Sequence, residues 1–452
     1  MESRQENIMG TKPVNSLLVG MAVPIMLSML VQALYNIVDS IFVSMLSENA
    51  LTAVSLVFPV QNLMIAVAVG TAVGINALLS RRLGEKNYEA AERVAQNGVF
   101  VTILSFVAFA IFGIIGSKPL LATMTANAEI AKMGEEYMLI CTVFSLGLFM
   151  QVTVERLLQV TGKTVYQMCS QMTGAIVNII LDPIMIFGLL GCPAMGVSGA
   201  ALATVIGQFC GMFVGLAINH VKNHEVRLTF KGFRPDGRTI SGIYQVGLPS
   251  IIMQSISSVM TFGMNQILIR FTETAVAVFG VYFKLQSFIF MPVFGVTNAL
   301  VPIVGYNYGA QKKQRILQTV KMACIMSVSI MLIGMVIFQL APGLLMKMFN
   351  ASDTMQVIGQ YALRIISLSF ALAGVDIVFS SVFQAMGDGM KSLWMSVIRQ
   401  LLVLLPCAYA LSLTGILNVV WLSFTIAELV AFVVGILLFR RLYRQRIAPL
   451  PD

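Results

Sequence analysis

The chain has 452 residues, of which 58% are hydrophobic and 11% are charged. A soluble globular domain carries about 25% charged residues, so this composition excludes a water-soluble core and indicates that lipid is part of the solvent. The net charge of +9 comes from loops between apolar stretches. No basic helix or aromatic–basic pattern of nucleic-acid binding accompanies it.

Twelve apolar stretches are each long enough to cross about 30 Å of hydrocarbon as a helix. We therefore predict an all-α, polytopic membrane protein with twelve transmembrane helices. Pro24 and Pro59, in the two long first stretches, are candidate bend points. The predicted spans are 16–45, 50–79, 93–116, 134–160, 165–190, 195–219, 240–269, 275–305, 316–341, 358–386, 392–413 and 415–439.

The loops between these spans alternate between rich and poor in Lys and Arg. One set holds 21 of the 29 basic residues, including Arg4, Arg227 and Lys231, and the opposite set holds four. Cytoplasmic loops carry the excess of positive charge. We therefore expect both termini in the cytoplasm and a multi-pass protein of the bacterial inner membrane.

An internal repeat relates the two halves of the chain at a single gapless offset of 225 residues. The offset aligns Pro24 with Pro249, and it also aligns four further pairs: Gly70 with Gly295, Gly84 with Gly309, Gln159 with Gln384, and Gly162 with Gly387. A shared register over such a range indicates duplication. We predict two pseudo-symmetric six-helix lobes, at 1–225 and 226–452. Parallel repeats of this kind are typical of carriers with a central cavity.

Polar side chains in spans 1, 5 and 6 form a candidate cation or proton site. Asp39 lies deep in span 1, Asn178 and Asp182 are four residues apart in span 5, and Thr204 lies in span 6. Residues four apart share a helix face. Such oxygens suit Na⁺, and close carboxylates can instead share protons. The alternative is polar contact between helices without transport.

Three more acids lie within predicted spans. Glu155 could face a cavity and attract a cation, or it could pair with a buried base such as Lys284 or Arg399. Asp376 could pair with Arg364 or lie near the end of a span, and Glu428 could hydrogen bond between helices. At the repeat offset, Asp39, Asp182 and Glu155 correspond to Met264, Cys407 and Ser380. These three acids are therefore features of the first half.

A Met-rich chain could accept apolar ligands of different shapes, because Met side chains are flexible. We predict a substrate cavity lined by residues from both halves. Its predicted wall comprises Glu155, Tyr35, Asn36, Gln61, Met64, Tyr282, Phe283 and Met291. No Walker motif, Gly-x-Ser-x-Gly or HExxH occurs in the sequence, so we do not expect an enzyme.

Several segments together resemble the multidrug and toxic compound extrusion (MATE) family. They include Tyr35 to Asp39, Leu181-Asp182-Pro183, Gly196 to Thr204, Val304 to Ala310 and Phe383 to Gly387. The resemblance covers nearly the whole chain. Glu155 and the Met-rich first half are similar to the MepA-like bacterial subgroup.

The resemblance implies a monomeric carrier that exports organic, often cationic, compounds by antiport with Na⁺ or H⁺ and needs no other cofactor. It implies that Asp39, Asn178, Asp182 and Thr204 bind the coupling cation, with the Ala200 carbonyl as a candidate fifth ligand. The second lobe lacks an acid at the span 7 position, which puts an ion site there in doubt. The alternative is a flippase for lipid-linked oligosaccharides, whose anionic headgroups would need basic residues in the cavity.

Overall fold

The computed structural model describes residues 7–226, 228–230, 233–349 and 351–451. Within these ranges the regular structure is entirely helical, which confirms the all-α prediction. Arg4, Arg227 and Lys231, which entered the charge count above, lie outside the described residues.

The first half contains eight α-helices. They are α1 (Ile8–Thr11), α2 (Val14–Leu46), α3 (Glu48–Gly84), α4 (Tyr88–Met124), α5 (Ala128–Val143), α6 (Leu146–Val160), α7 (Thr164–Phe187) and α8 (Gly196–Lys222), with a 3₁₀ turn at Leu189–Gly191.

The second half begins with another set of long helices and ends in shorter ones. They are α9 (Gly237–Leu268), α10 (Glu273–Gly309), α11 (Lys313–Leu340), α12 (Pro342–Lys347), α13 (Asp353–Ser367), α14 (Phe370–Ala385), α15 (Gly389–Val397), α16 (Leu405–Ser412), α17 (Leu417–Val420) and α18 (Leu422–Leu442). π-Helical turns occupy Ile398–Leu404 and Tyr443–Ile447.

Among the described residues, ten helices are long and apolar enough to cross a membrane, and two bent pairs bring the number to twelve. The bent pairs are α5 with α6, at 42°, and α13 with α14, at 51°. They coincide with the predicted spans 134–160 and 358–386. Ten of the twelve predicted stretches therefore correspond to one helix or one bent pair. The other two correspond to continuous spans of consecutive elements: Gly389–Ser412 contains α15, a π-helical turn and α16, and Leu417–Ile447 contains α17, α18 and a π-helical turn.

The breaks do not occur at the candidate prolines, because α2 and α3 continue through Pro24 and Pro59. They occur at two serines. The backbone N–H groups of Ser145 and Ser369 bond to carbonyls three residues back, at 3.3 and 3.1 Å. Bonds of this type tighten the last turn of a helix, and the next helix starts from there in a new direction.

Helix positions confirm the internal repeat. The offset of 225 residues takes α3 (48–84) onto α10 (273–309) and takes the start of α5 onto the start of α13. Ser47 and Thr272, which also correspond, cap α3 and α10 by accepting a backbone N–H. Gly162 and Gly387 both have left-handed backbones, with φ of 74° and 78°, which glycine adopts without steric cost.

The chain divides into two compact units. Among the described residues, one contains those up to Ile8 and those of 27–247, and the other contains Met9–Met26 and those from Leu248 onward. The first turns of α9 thus belong to the first unit, and the first turns of α2 belong to the second. Along each of these helices, the chain passes from one unit to the other within three residues of its proline, Pro24 or Pro249. The simple division into lobes at 1–225 and 226–452 stays a prediction.

In the first unit, α7 and α8 pack face to face through small residues. A Cβ atom added to Gly207 would lie 2.6 Å from the Gly174 carbonyl oxygen, and one added to Gly199 would lie 2.5 Å from the Met185 carbonyl oxygen. Small residues let helix backbones approach closely. This approach brings Thr204 of α8 beside Asn178 of α7.

Replacing Gly207 by Ala should destabilise the protein by about 1–3 kcal/mol, the usual cost of overpacking, because the new methyl group meets backbone rather than a flexible side chain. Thermal unfolding of the purified protein in detergent measures this. Gly280→Ala is the matched control, since nothing lies within 4 Å of its added Cβ and Ala favours a helix over Gly. Equal unfolding temperatures for the two variants would contradict the packing described here.

Candidate functional site

The α2 helix presents three polar side chains on one face. Gln32, Tyr35 and Asp39 are spaced three and four residues apart, so they lie along a single stripe of the helix. The Gln32 amide oxygen accepts a hydrogen bond of 2.6 Å from Gln171 of α7. This stripe therefore faces α7.

The facing stripe of α7 contains Asn178 and Asp182, which are 2% and 0% exposed. Asn178 Nδ2 donates to Asp182 Oδ1 at 3.3 Å and to Thr204 Oγ1 of α8 at 3.2 Å. One amide group thus joins the carboxylate of α7 to the hydroxyl of α8. The predicted sharing of one face by Asn178 and Asp182 is what the structure shows.

The carboxyl groups of Asp39 and Asp182 lie within hydrogen-bonding reach of each other. None of the ion pairs among the described residues involves either of them. Two adjacent carboxylates without a basic neighbour cannot both remain charged in a low-dielectric interior. The pair must share a proton or bind a cation.

Three oxygens of these residues are of the chemical kinds that bind cations. Asp39 Oδ1, Asn178 Oδ1 and Asp182 Oδ2 are shielded from solvent and have no hydrogen-bond donor in the described chain. Buried polar atoms are almost always satisfied, and carboxylate and amide oxygens are ligands that hard cations prefer. Ala200 lies one turn before Thr204 on α8 and is fully buried. We call Asp39, Asn178, Asp182 and Thr204 the quartet.

A cavity of about 70 Å³, lined by both apolar and polar side chains, adjoins the quartet within the first unit. Asn178 and Thr204 line one part of it, and Glu155 of α6 lines another. The Glu155 carboxyl group, 7% exposed, accepts a hydrogen bond from Gln151 Nε2 at 3.0 Å, and its Oε1 lies 3.5 Å from Ser170 Oγ. It is not paired with Arg399, which instead contacts Glu428.

The other residues predicted to line a substrate cavity have varied environments in the first unit. Tyr35 lines the cavity just described, whereas Asn36 on the next position of α2 is exposed. Gln61 donates to the Tyr137 hydroxyl at 3.1 Å, and Met64 is buried. Their role as a cavity wall stays a prediction.

In the second unit, the predicted cavity residues Tyr282 and Phe283 belong to an aromatic cluster. Phe279 contacts both of them and also Trp421. Tyr282 is 2% exposed and Phe283 is partly buried. Met291 is partly exposed. Tyr282 and Phe283 pack in the core in the described conformation, and the contact of all three side chains with substrate stays a prediction.

The second unit contains a separate buried charge cluster. Arg399 Nη1 lies 3.4 Å from Glu428 Oε1, and Asp376 lies beside Glu428, 2% exposed, with no hydrogen-bond donor for either of its oxygens. Arg364 does not pair with Asp376. Because Arg399 neutralises one of the two acids, this cluster differs from the pair in the first unit.

Sequence reasoning missed four polar residues of the site. They are Gln32, Gln151, Ser170 and Tyr137, of which the last receives the Gln61 hydrogen bond. A signal was available for two of them, because Gln32 precedes Tyr35 by three residues and Gln151 precedes Glu155 by four. Polar residues repeated on one face of an apolar helix indicate a lined site.

Comparison with known proteins assigns this chain to a family. The sequence profile of the MatE family matches residues 24–184 and 249–410. The two matches start at Pro24 and Pro249 and therefore reproduce the internal repeat. Together they cover well over half of the chain.

Individual relatives match over nearly their full length. The multidrug export protein MepA of Staphylococcus haemolyticus is 26% identical over 90% of this chain and 89% of its own. An FAD transporter of Shewanella oneidensis is 24% identical over 88% of each chain. The outward-facing structure of a multidrug resistance MATE transporter superposes with a TM-score of 0.91 at 27% identity, over 99% of both chains. The chain belongs to the MatE family of membrane transporters, as its resemblance implied, and it is similar to the MepA proteins within that family.

Proposed function

We propose that this protein exports organic, often cationic, compounds by antiport with Na⁺ or H⁺ through alternating access. The observation that supports this proposal most is the Asp39–Asp182 pair, in which Asp182 is buried and Asp39 is partly buried, because two adjacent carboxyl groups without a basic neighbour require a cation or a proton. The coupling ion would be held by the quartet, with the Ala200 carbonyl as a candidate fifth ligand.

Antiport follows if the cation and the substrate oppose each other's binding. Such coupling is a free-energy difference between two states of the protein and acts equally in both directions. The α2 helix offers a route for it, since Asp39 lies on the same helix as Pro24. Proline removes one backbone hydrogen bond and makes a helix easier to bend. Cation binding at Asp39 would therefore favour one shape of α2 and substrate binding another.

The substrate class is supported by the relatives named as multidrug exporters and by the engagement of two of four candidate bases within the predicted spans. Arg399 is paired with Glu428, and Arg156 donates to Gln159 at 2.6 Å. A flippase for anionic lipid-linked sugars would need several bases in its cavity, and of these four only the exposed Lys284 and Arg364 are left for that role, so this arrangement favours organic cations. We propose a monomer in the bacterial inner membrane, with both termini cytoplasmic.

Asp182→Asn and Asp39→Asn should each abolish gradient-driven efflux of ethidium from everted membrane vesicles. Each removes one charge from the cation site, and a charge pair at 4 Å is worth about 4 kcal/mol at an effective dielectric constant of about 20. Asp353→Asn is the matched control, because Asp353 is exposed at the start of α13. Full efflux by both site variants, at equal membrane expression, would exclude coupling at this pair.

Imposing the gradients one at a time identifies the coupling ion and tests the substrate class. In proteoliposomes, we expect ethidium uptake or release to respond to a Na⁺ gradient or to a pH gradient, and to stop when that gradient is dissipated. Proteoliposomes loaded with FAD in place of ethidium serve as the comparison. Gradient-dependent movement of FAD, with none of ethidium, would contradict the proposed substrate class and favour an anion carrier.

Fusion reporters test the proposed orientation. We expect a green fluorescent protein joined after the last residue to fluoresce, because it folds in the cytoplasm, and alkaline phosphatase at the same point to be inactive. The same two reporters inserted at 125–127, between α4 and α5 and on the side predicted to be poor in basic residues, should give the opposite result. An active phosphatase at the C-terminus would show that the positive-inside reading is wrong for this chain.

A further inference from the structure

Glu155 is a second buried carboxylate of the first unit, and it lies outside the quartet. It projects from α6 and is 7% exposed. Its two hydrogen-bonding neighbours, Gln151 and Ser170, are neutral. A carboxylate in the membrane interior is costly unless it is paired, protonated or hydrated, so two neutral neighbours leave most of its charge uncompensated.

Arg156 is a basic side chain that interacts electrostatically with Glu155, but the two do not form an ion pair. Among the described residues, no Lys or Arg nitrogen forms an ion pair with Glu155. The neighbouring Arg156 directs its Nη1 to Gln159. From α2, Tyr35 lies near Glu155, and the same tyrosine lies near Asp39 and Asp182. The titratable groups near Glu155 are therefore Arg156, whose Nη1 donates to Gln159, and the Tyr35 phenol, which links it to the acids of the quartet.

The hydrogen bonds of Ser170 fit a protonated Glu155. A serine hydroxyl has one hydrogen, and Ser170 Oγ lies 2.8 Å from the Gly211 carbonyl oxygen but 3.5 Å from Glu155 Oε1. The shorter contact takes the hydrogen, because a carbonyl oxygen cannot donate. The Ser170 oxygen then has lone pairs available to accept a hydrogen bond from a protonated Glu155. When Glu155 is charged, Gln151 still donates to it.

The size of the cavity between Glu155 and the quartet decides what can enter it. Ligand pockets for drug-sized compounds measure about 300–1,000 Å³, and this cavity measures about 70 Å³. A water molecule needs about 10–15 Å³ of cavity, so the cavity has room for several. Its lining mixes apolar and polar side chains, and Gln151 and Glu155 at one part and Asn178 and Thr204 at another offer hydrogen-bond partners to such water.

We propose that Glu155 is a second counter-transported proton site, connected by water in this cavity to the quartet. This inference rests on the proposed antiport. When substrate binds, the O–H bond of the Glu155 carboxyl group breaks and its proton passes to cavity water, which leaves a carboxylate that accepts from Gln151. The proton is released in addition to whatever cation the quartet gives up.

Counting protons tests this assignment. Ethidium at saturating concentration is added to purified full-length protein in weakly buffered detergent solution with excess Na⁺, and a pH-sensitive dye reports the release. We expect Glu155→Gln to release about one proton per chain fewer than the unmodified protein, as linkage requires for a site that substrate empties. Glu89→Gln is the matched control, because its side chain on α4 is 83% exposed, and it should release the full number.

The outcomes separate this inference from the antiport proposal. Asp182→Asn should keep the Glu155 proton while losing the cation of the quartet. If the unmodified protein and Glu155→Gln release equal numbers of protons, both being monodisperse and binding ethidium, the second site is excluded while antiport stands. If ethidium displaces neither protons nor Na⁺ from the unmodified protein, the antiport proposal itself is overturned.

Discussion

The chemistry of the first unit follows from carboxyl groups held in an apolar interior without basic partners. Asp39 and Asp182 lie within hydrogen-bonding reach of each other, and neither forms an ion pair among the described residues. A pair of this kind changes its protonation or its bound ion whenever its access to water changes. The second unit shows the contrast, because Arg399 there lies 3.4 Å from Glu428 and supplies a fixed positive charge to its acids.

Close packing of α7 against α8 is the structural condition for this chemistry. The glycines at 174, 199 and 207 bring the two backbones together, and the short separation lets the Asn178 amide reach Asp182 and Thr204 at once. Larger residues at the glycines would move Thr204 away. Helix packing in lipid relies on such small residues, so the same feature stabilises the fold and positions the site.

Much of this architecture could be predicted from the sequence, because spans and repeats are local patterns of hydropathy and spacing. The twelve stretches, the offset of 225 residues and the common face of Asn178 and Asp182 are of this kind. The breaks at Ser145 and Ser369 could not be predicted, since no proline marks them and local hydrogen bonds create them. Nor could the environment of Glu155, which depends on Ser170 and Gly211 from two other helices.

Infrared titration of the carboxyl groups tests most directly whether Asp39 and Asp182 act as one site. Spectra of the purified protein would be recorded across a pH series, with and without Na⁺, for both single Asp→Asn variants and for the double variant. If the two groups share a proton or an ion, each single substitution changes the titration of the remaining aspartate, and the losses are not additive. Two independent titrations, each removed by its own substitution without effect on the other, would contradict the account.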